Sequence, residues 1–170
     1  MKRSLYVLYI LLIVIVMIPK EKLYFTFESI LSQHHLFINN EELTNRFLFF
    51  DALNGNVLLD NQEFASIESI RIAPLLFINQ LSLSNINFSP LYRNFFPGKI
   101  DSIVFTYSLL HPLSVSIDGE GDFGQCEGDF DLLDQKIRVV FEPTPQLRRY
   151  PLLVNKLHQA KEGLVYESNF

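Results

Sequence analysis

Apolar and polar residues alternate along most of the chain that follows His34 and His35. A period of two is typical of β-strands that turn one face toward a core and the other toward solvent. Asn54-Gly55-Asn56 interrupts the alternation and predicts a tight hairpin turn. The predicted strands are Leu36 to Asn39, Arg46 to Leu53, Val57 to Asp60, Phe64 to Ala73, Gln80 to Phe88, Ile100 to Ser108, Leu113 to Phe123, Gly124 to Leu132 and Gln135 to Glu142.

Two shorter segments have helical spacing instead. After the strands, a helix is predicted from about Tyr150 to Lys161, because Gly163 follows it as a C-terminal stop signal. Before the strands, residues 20–35 predict an amphipathic helix near a membrane surface. The apolar residues that recur there at helical spacing are Leu23, Phe27, Ile30 and Leu31.

The amino terminus is apolar without alternation. Residues 5–18 carry no charge, and Lys2 and Arg3 precede them. At about 1.5 Å per residue this run gives about 21 Å of helix, whereas the hydrocarbon core is roughly 30 Å thick, so a cleaved signal peptide is an alternative to a transmembrane anchor. No small residue follows the run, which favours an uncleaved anchor. The residues expected in the bilayer are Leu5, Leu8, Leu11, Leu12, Ile15 and Ile18.

This anchor sets the predicted domain organisation and location. Basic residues that precede a span stay in the cytoplasm, so the amino end is expected there. Residues 1–19 would form the anchor, 20–35 the juxtamembrane helix and 36–170 a periplasmic antiparallel β domain. The sequence therefore predicts a single-pass protein of the bacterial inner membrane, with that membrane as a partner, and a mainly β fold that also contains a transmembrane helix and two short helices.

Composition narrows the classes of function. The chain has 170 residues, and the 48% that are hydrophobic are enough for one domain with a core. A formal net charge of −5 without a basic patch argues against nucleic acid as a partner. The single cysteine, Cys126, cannot form an intramolecular disulfide or a cysteine-based zinc site. No cofactor is expected.

The stretch with the most suggestive chemistry is SIDGEGDFGQCEGDFD, from Ser116 to Asp131. Asp118, Glu120 and Asp122 offer oxygens at alternate positions, as a calcium loop does. Phe123 stands where an EF-hand loop needs glycine, so the calcium interpretation is the weaker one. Solvated strand residues without a metal are favoured.

Strand alternation through the same region predicts one apolar and one polar face. On the polar face, Lys136 and Arg138 are expected to oppose Asp129, Asp131 or Glu127. Cys126 shares the apolar parity, which favours a packed side chain over a nucleophile. The candidate apolar face consists of Val115, Ile117, Phe130, Val139 and Phe141.

No residue pattern points to catalysis. The four histidines, His34, His35, His111 and His158, lack metal-ligand spacing, and the chain has no Gly-x-Ser-x-Gly motif. A protein that is not an enzyme is therefore expected.

Two stretches resemble known families. NQEFASIESIRIAPLLFINQLSLSNINFSPL, from Asn61 to Leu91, resembles the repeated strand pair of AsmA-like envelope proteins. GEGDFGQCEGDFDLLDQKIRVVFEPT, with the later KEGLVY from Lys161 to Tyr166, resembles the carboxyl end of the type II secretion system protein N family. The resemblance implies a membrane-anchored periplasmic protein with a curved antiparallel sheet and no catalytic residues.

Two functions follow from these observations. The resemblance implies an accessory, non-enzymatic subunit of a type II secretion system that contacts other secretion subunits. The alternative is an AsmA-like lipid-binding or lipid-transfer module of the bacterial envelope, with phospholipid as its partner. An open apolar trough favours the lipid module, whereas a trough that the chain's own helix fills favours the secretion subunit.

Overall fold

A single antiparallel sheet of 11 strands organises the part of the chain that the computed structural model describes, residues 18–92 and 95–169. Strands β3 to β9 form a meander, β11 pairs with β9, and β10 pairs with β11. Both β1 and β2 pair with the other edge of β3. The strands are β1 (Leu36–Asn39), β2 (Glu42–Asn45), β3 (Phe50–Leu59), β4 (Gln62–Pro74), β5 (Ile78–Phe88), β6 (Lys99–Ser108), β7 (His111–Gly121), β8 (Gly124–Asp131), β9 (Lys136–Phe141), β10 (His158–Ala160) and β11 (Gly163–Asn169).

Helical elements are few in the described chain. Helix α1 (Lys20–Gln33) precedes the sheet, and the four-residue helix α2 (Pro151–Val154) lies between β9 and β10. Two single 3₁₀ turns, Pro90–Tyr92 and Leu147–Arg149, lie in connections.

Directly opposed apolar residues build the core on one face of the sheet, called here the inner face. Opposed residues of antiparallel strands point to the same face, so each row forms a continuous surface. One row runs from β3 to β11 through Phe50, Ile72, Leu81, Phe105, Ile117, Gly128, Val139 and Tyr166. The next runs through Ala52, Ile70, Leu83, Ile103, Gly119, Cys126, Phe141 and Leu164.

A kink interrupts the alternation within β3. Ala52 is buried, and the next buried residue is Gly55, so the parity of the strand shifts between them. Asn54 lies at this point with a φ of 59°, and Asn85 has a φ of 51° within β5. Asparagine tolerates this left-handed conformation better than most residues. The hairpin turn predicted at Asn54 is therefore a kink inside a continuous strand.

Helix α1 covers the inner face at β1 to β4. Tyr24 is fully buried, and its ring centroid lies 5.3 Å from that of Phe50. Phe27 and Leu31 lie on the same side of the helix and pack against the same buried cluster. The amphipathic helix predicted for residues 20–35 thus packs against the sheet.

The chain after β9 also returns to the inner face. Leu147 is fully buried and belongs to the same buried cluster as Phe123 and Val139. The Thr144 hydroxyl fixes this return by donating a 3.0 Å hydrogen bond to the carbonyl of Phe123. The inner face is therefore covered near β9 as well as near β3.

The predicted fold class and location are wrong where they require a membrane span. No helix within residues 18–92 and 95–169 is both long enough and apolar enough to cross a bilayer. Helix α1 has 14 residues, so it spans only about 21 Å of the roughly 30 Å hydrocarbon core, and its first turn carries three charges, on Lys20, Glu21 and Lys22. A single-pass inner-membrane protein with a periplasmic bulk is not supported.

The predicted anchor residues fall mostly outside the described chain. Ile18 is described and precedes α1. The others lie outside the described residues: Leu5, Leu8, Leu11, Leu12 and Ile15.

The predicted C-terminal helix is also wrong. Only Pro151–Val154 is α-helical, and His158–Ala160 forms β10 instead. Ala160 pairs with Gly163 across a two-residue turn, and Gly163 has a φ of 144°. Gly163, the predicted helix stop, begins a strand, because a hairpin needs the conformational freedom of glycine as much as a helix end does.

Candidate functional site

An apolar groove on the inner face is the candidate site that stands out by the chemistry of its lining. It has a volume of about 420 Å³ and lies between the start of α1 and strands β4 to β7. Three of its lining residues have polar side chains, Asn79, Gln80 and Tyr107. The Gln80 amide points to the outer face, where it donates a 3.4 Å hydrogen bond to the Thr106 hydroxyl. The apolar lining consists of Ile18, Leu23, Ile72, Pro74, Leu81, Phe105 and Val115.

Two elements leave this part of the sheet open. Helix α1 is centred on β1 to β4, where Tyr24 is fully buried, and the chain after β9 brings Leu147 to the other side. Between these covers, Leu81 and Phe105 remain only half-buried, although Phe50 and Val139 in the same row are buried. The groove is therefore the uncovered middle of a continuous apolar surface.

The structure brings the five residues of the candidate apolar face together in adjacent positions. Val115 opposes Phe130, and Phe130 opposes Ile137 on β9. Ile117 and Val139 are both opposite Gly128, and both are buried. Phe141 lies further along β9, where its ring is 5.7 Å from that of Phe123. Only Val115 of these five lines the groove.

Sequence reasoning missed the other groove residues. Ile18 precedes the first helix and Leu23 lies in it, while Pro74, Leu81 and Phe105 come from three different strands. Alternation marks each of them as apolar, but no local signal shows which strands the helix leaves uncovered.

The acidic stretch forms two paired strands joined by a turn at Asp122 and Phe123. Asp118 opposes Glu127, and both are exposed on the outer face. The Asp122 carboxylate accepts a 2.8 Å hydrogen bond from the backbone nitrogen of Lys99. Within residues 18–92 and 95–169 no group of three or more histidine, cysteine or acidic side chains could hold a metal ion.

We expect the triple change Asp118→Asn, Glu120→Gln and Asp122→Asn to shift the melting temperature by only a few degrees. The first two side chains are exposed, and asparagine at 122 keeps an oxygen that can accept from Lys99. Thermal unfolding with and without calcium checks this. A rise of several degrees on adding calcium to the native protein would contradict it, because a ligand of the folded state stabilises that state.

The strands place Lys136 and Arg138 opposite acidic residues of β8, as predicted, but both cations form their ion pairs with other residues. Arg138 stands opposite Asp129, and Lys136 opposite Asp131, as the alternation predicted. Both cations form their ion pairs on the other side, with β11 and its turn. Lys136 lies 3.2 Å from Glu167, and Arg138 lies 2.7 Å from Glu162 and 3.4 Å from Glu167.

Cys126 is a packed residue of the inner face. It is buried, and its sulfur occupies the space opposite Gly119. Burial, reinforced by the carboxylates of Asp118 and Glu127, raises the pKa of the Cys126 thiol to about 11. A thiol of this kind is a poor nucleophile at neutral pH.

Comparison of the chain with known protein families, with curated proteins and with solved structures finds no match. The resemblance to AsmA-like proteins and to the type II secretion system protein N family therefore stays a prediction.

Proposed function

We propose that the protein is a lipid-binding module that holds an acyl chain in the apolar groove. The observation that carries the proposal is the open middle of the inner face, where Leu81, Phe105 and Val115 line a groove of about 420 Å³. Ligand pockets typically measure about 300–1,000 Å³, so this volume suits a small ligand or part of a larger one.

The chemistry of the lining selects the ligand class. Each methylene that leaves water for an apolar site contributes about 0.8 kcal/mol, so an unbranched hydrocarbon gains affinity along its whole length. A polar ligand would find few partners, because only Asn79 and Tyr107 of the described lining place a polar side chain on the inner face. An acyl chain, with its head group left outside, fits these properties best.

A second candidate function is that of a secretion subunit that binds another protein. Its support is the free edge of β11. Strand β10 pairs only with Gly163 to Val165, so Tyr166 to Asn169 have no strand partner on that side within the described residues. Exposed strand edges bind extended segments of other proteins. Failure of the native protein to bind any acyl ligand would leave this candidate as the better one.

Binding of cis-parinaric acid, a fluorescent fatty acid, tests the proposed function. We expect saturable binding to the native protein and at least about tenfold weaker binding to Val115→Trp. The added indole would occupy the groove, and excluding two methylenes already accounts for about a tenfold loss. Val115 is half-exposed, so we expect the variant to fold.

Val104→Trp is the matched control. Val104 lies on β6 opposite Asp118, on the outer face of the sheet, and does not line the groove. This variant should bind cis-parinaric acid like the native protein. Equal affinity of the two tryptophan variants, with circular dichroism showing both folded, would contradict the proposed function.

A further inference from the structure

Exposed apolar side chains are concentrated at one end of the sheet. In a meander, alternate connections lie at the same end, and here these are the β2–β3, β4–β5, β6–β7 and β8–β9 connections. More than half of the exposed large apolar side chains in the described chain lie in these connections or within the first three residues of the strands that follow them. This apolar rim consists of Phe47, Leu48, Leu75, Phe77, Ile78, Leu109, Leu110, Leu113, Leu132 and Leu133.

Hydrogen bonds join neighbouring parts of the rim. The backbone nitrogen of Leu109 donates to the carbonyl of Phe77, and that of Leu132 donates to the carbonyl of Leu113, both at 2.9 Å. The β2–β3 connection is tied to α1, because the Lys20 ammonium donates a 3.0 Å hydrogen bond to the carbonyl of Phe47. The rim is thus a row of exposed apolar side chains on connections that hydrogen bonds hold in place.

The groove opens beside this rim. Pro74 and Asn79 line the groove and directly adjoin Leu75 and Ile78 of the rim in the chain. Ile18, at the start of α1, also lines the groove, and by sequence it is preceded by the uncharged residues 5–17. The groove and the rim therefore meet at the same end of the sheet.

Charge distinguishes this end from the other. Lys22 and Arg46 are exposed beside the groove, although Glu21 and Asp134 are also at this end. The opposite end is acidic and would be repelled by an anionic lipid surface. Its exposed acidic residues include Asp60, Glu63, Asp101, Glu120, Asp122, Glu142 and Glu162.

We infer that the apolar rim docks on the surface of a lipid bilayer and inserts its tips among the acyl chains. A row of protruding apolar side chains suits a bilayer, whose acyl chains yield to each of them, and it adjoins the groove that would take an acyl chain. The inference rests on the proposed function, because docking at the rim places the groove next to the lipids it would bind.

Fluorescent labels at single cysteines test the docking in the full chain. Cys126→Ala removes the native thiol, and Leu110→Cys or Leu133→Cys then places a bimane label on the rim. The control is Leu91→Cys, because Leu91 is 70% exposed, close to the 78% of Leu110 and 69% of Leu133, but lies at the opposite end. Each label reports only its own surroundings. This is needed because residues 5–17 are themselves apolar by sequence, so binding of the whole chain to vesicles would not locate the contact.

Vesicles of phosphatidylcholine and phosphatidylglycerol with brominated acyl chains serve as the probe. We expect bromine to quench the labels at 110 and 133 and to leave the label at 91 unchanged. Equal quenching at all three positions, or none at 110 and 133, would overturn the inference. Light scattering that shows a dimer, together with unquenched labels at 110 and 133, would also overturn the inference, because the rim would then bind a second copy of the chain.

A transfer experiment separates this inference from the proposed function. The double variant Leu110→Glu with Leu133→Glu should take up cis-parinaric acid from vesicles at least about tenfold more slowly. The rate at which the double variant takes up the fatty acid from solution should be unchanged. In Leu91→Glu, uptake from vesicles and uptake from solution should both be unchanged. Normal vesicle uptake by the double variant would refute docking at the rim, whereas binding from solution, compared between the native protein and Val115→Trp, tests only the groove.

Discussion

Replacing Val139 by aspartate is expected to unfold the protein. Val139 is buried on the inner face in the cluster that contains Leu147. A carboxylate placed there would lose its water without gaining a partner, at a cost of at least several kcal/mol against a typical total stability of about 5–15 kcal/mol. Circular dichroism and thermal melting of the purified variant measure the effect.

Val140→Asp is the control for this prediction. Val140 is the next residue of β9, so its side chain points to the outer face, where it is half-buried between Glu127 and the fully buried Val165. An aspartate there keeps partial access to water, so this variant should lose much less stability than Val139→Asp and stay folded. If Val139→Asp melts like the native protein, the chain after β9 does not cover this part of the inner face, and the open trough is larger than the groove.

Hydrophobic alternation predicted strand bounds and side-chain faces best in strands that have one exposed face. It placed β1 at Leu36 to Asn39, the bounds that the structure has, and it put Val115 and Phe130 on the same face. This works because each residue of a half-buried strand is apolar or polar according to the face it occupies.

The kink at Asn54 shows where this reasoning fails. Asn-Gly is a strong hairpin signal, because both residues accept a positive φ, but the same property permits a kink within a strand. The deciding information lies in the neighbouring strand. There Asn85 also has a positive φ, and its amide donates a 2.6 Å hydrogen bond to Glu68 on the strand between them. Such cross-strand partners cannot be read from one segment.

Like the kink, the groove and the rim could not be predicted from one segment of the sequence, because both depend on the strand topology. Amphipathicity predicted that α1 would bury one face, but not that Tyr24 would pack on Phe50 and leave Phe105 uncovered. Paired leucines at turns, such as Leu109-Leu110 and Leu132-Leu133, were a readable anomaly, because turns usually carry small polar residues. Their assembly into one rim followed only from the strand order.

Replacing Gly128 by alanine is expected to destabilise the protein although it adds a single methyl group. Gly128 lies between Ile117 and Val139 in the core row, and a Cβ there would lie 2.5 Å from the carbonyl oxygen of Arg138 and 3.0 Å from the Cα of Val139. These are backbone atoms, so β8 and β9 would have to move apart. Such overpacking typically costs about 1–3 kcal/mol.

Gly98→Ala is the matched control for Gly128→Ala. The nearest atom to a Cβ at position 98 is the carboxylate oxygen of Asp122 at 3.1 Å, the far end of a flexible side chain. Alanine also reduces the freedom of the unfolded chain, which stabilises a protein by about 0.4–1 kcal/mol where the native conformation permits it. Urea unfolding should therefore give a lower midpoint for Gly128→Ala and an unchanged or higher one for Gly98→Ala. Equal midpoints would mean that β8 and β9 approach less closely than the structure has them.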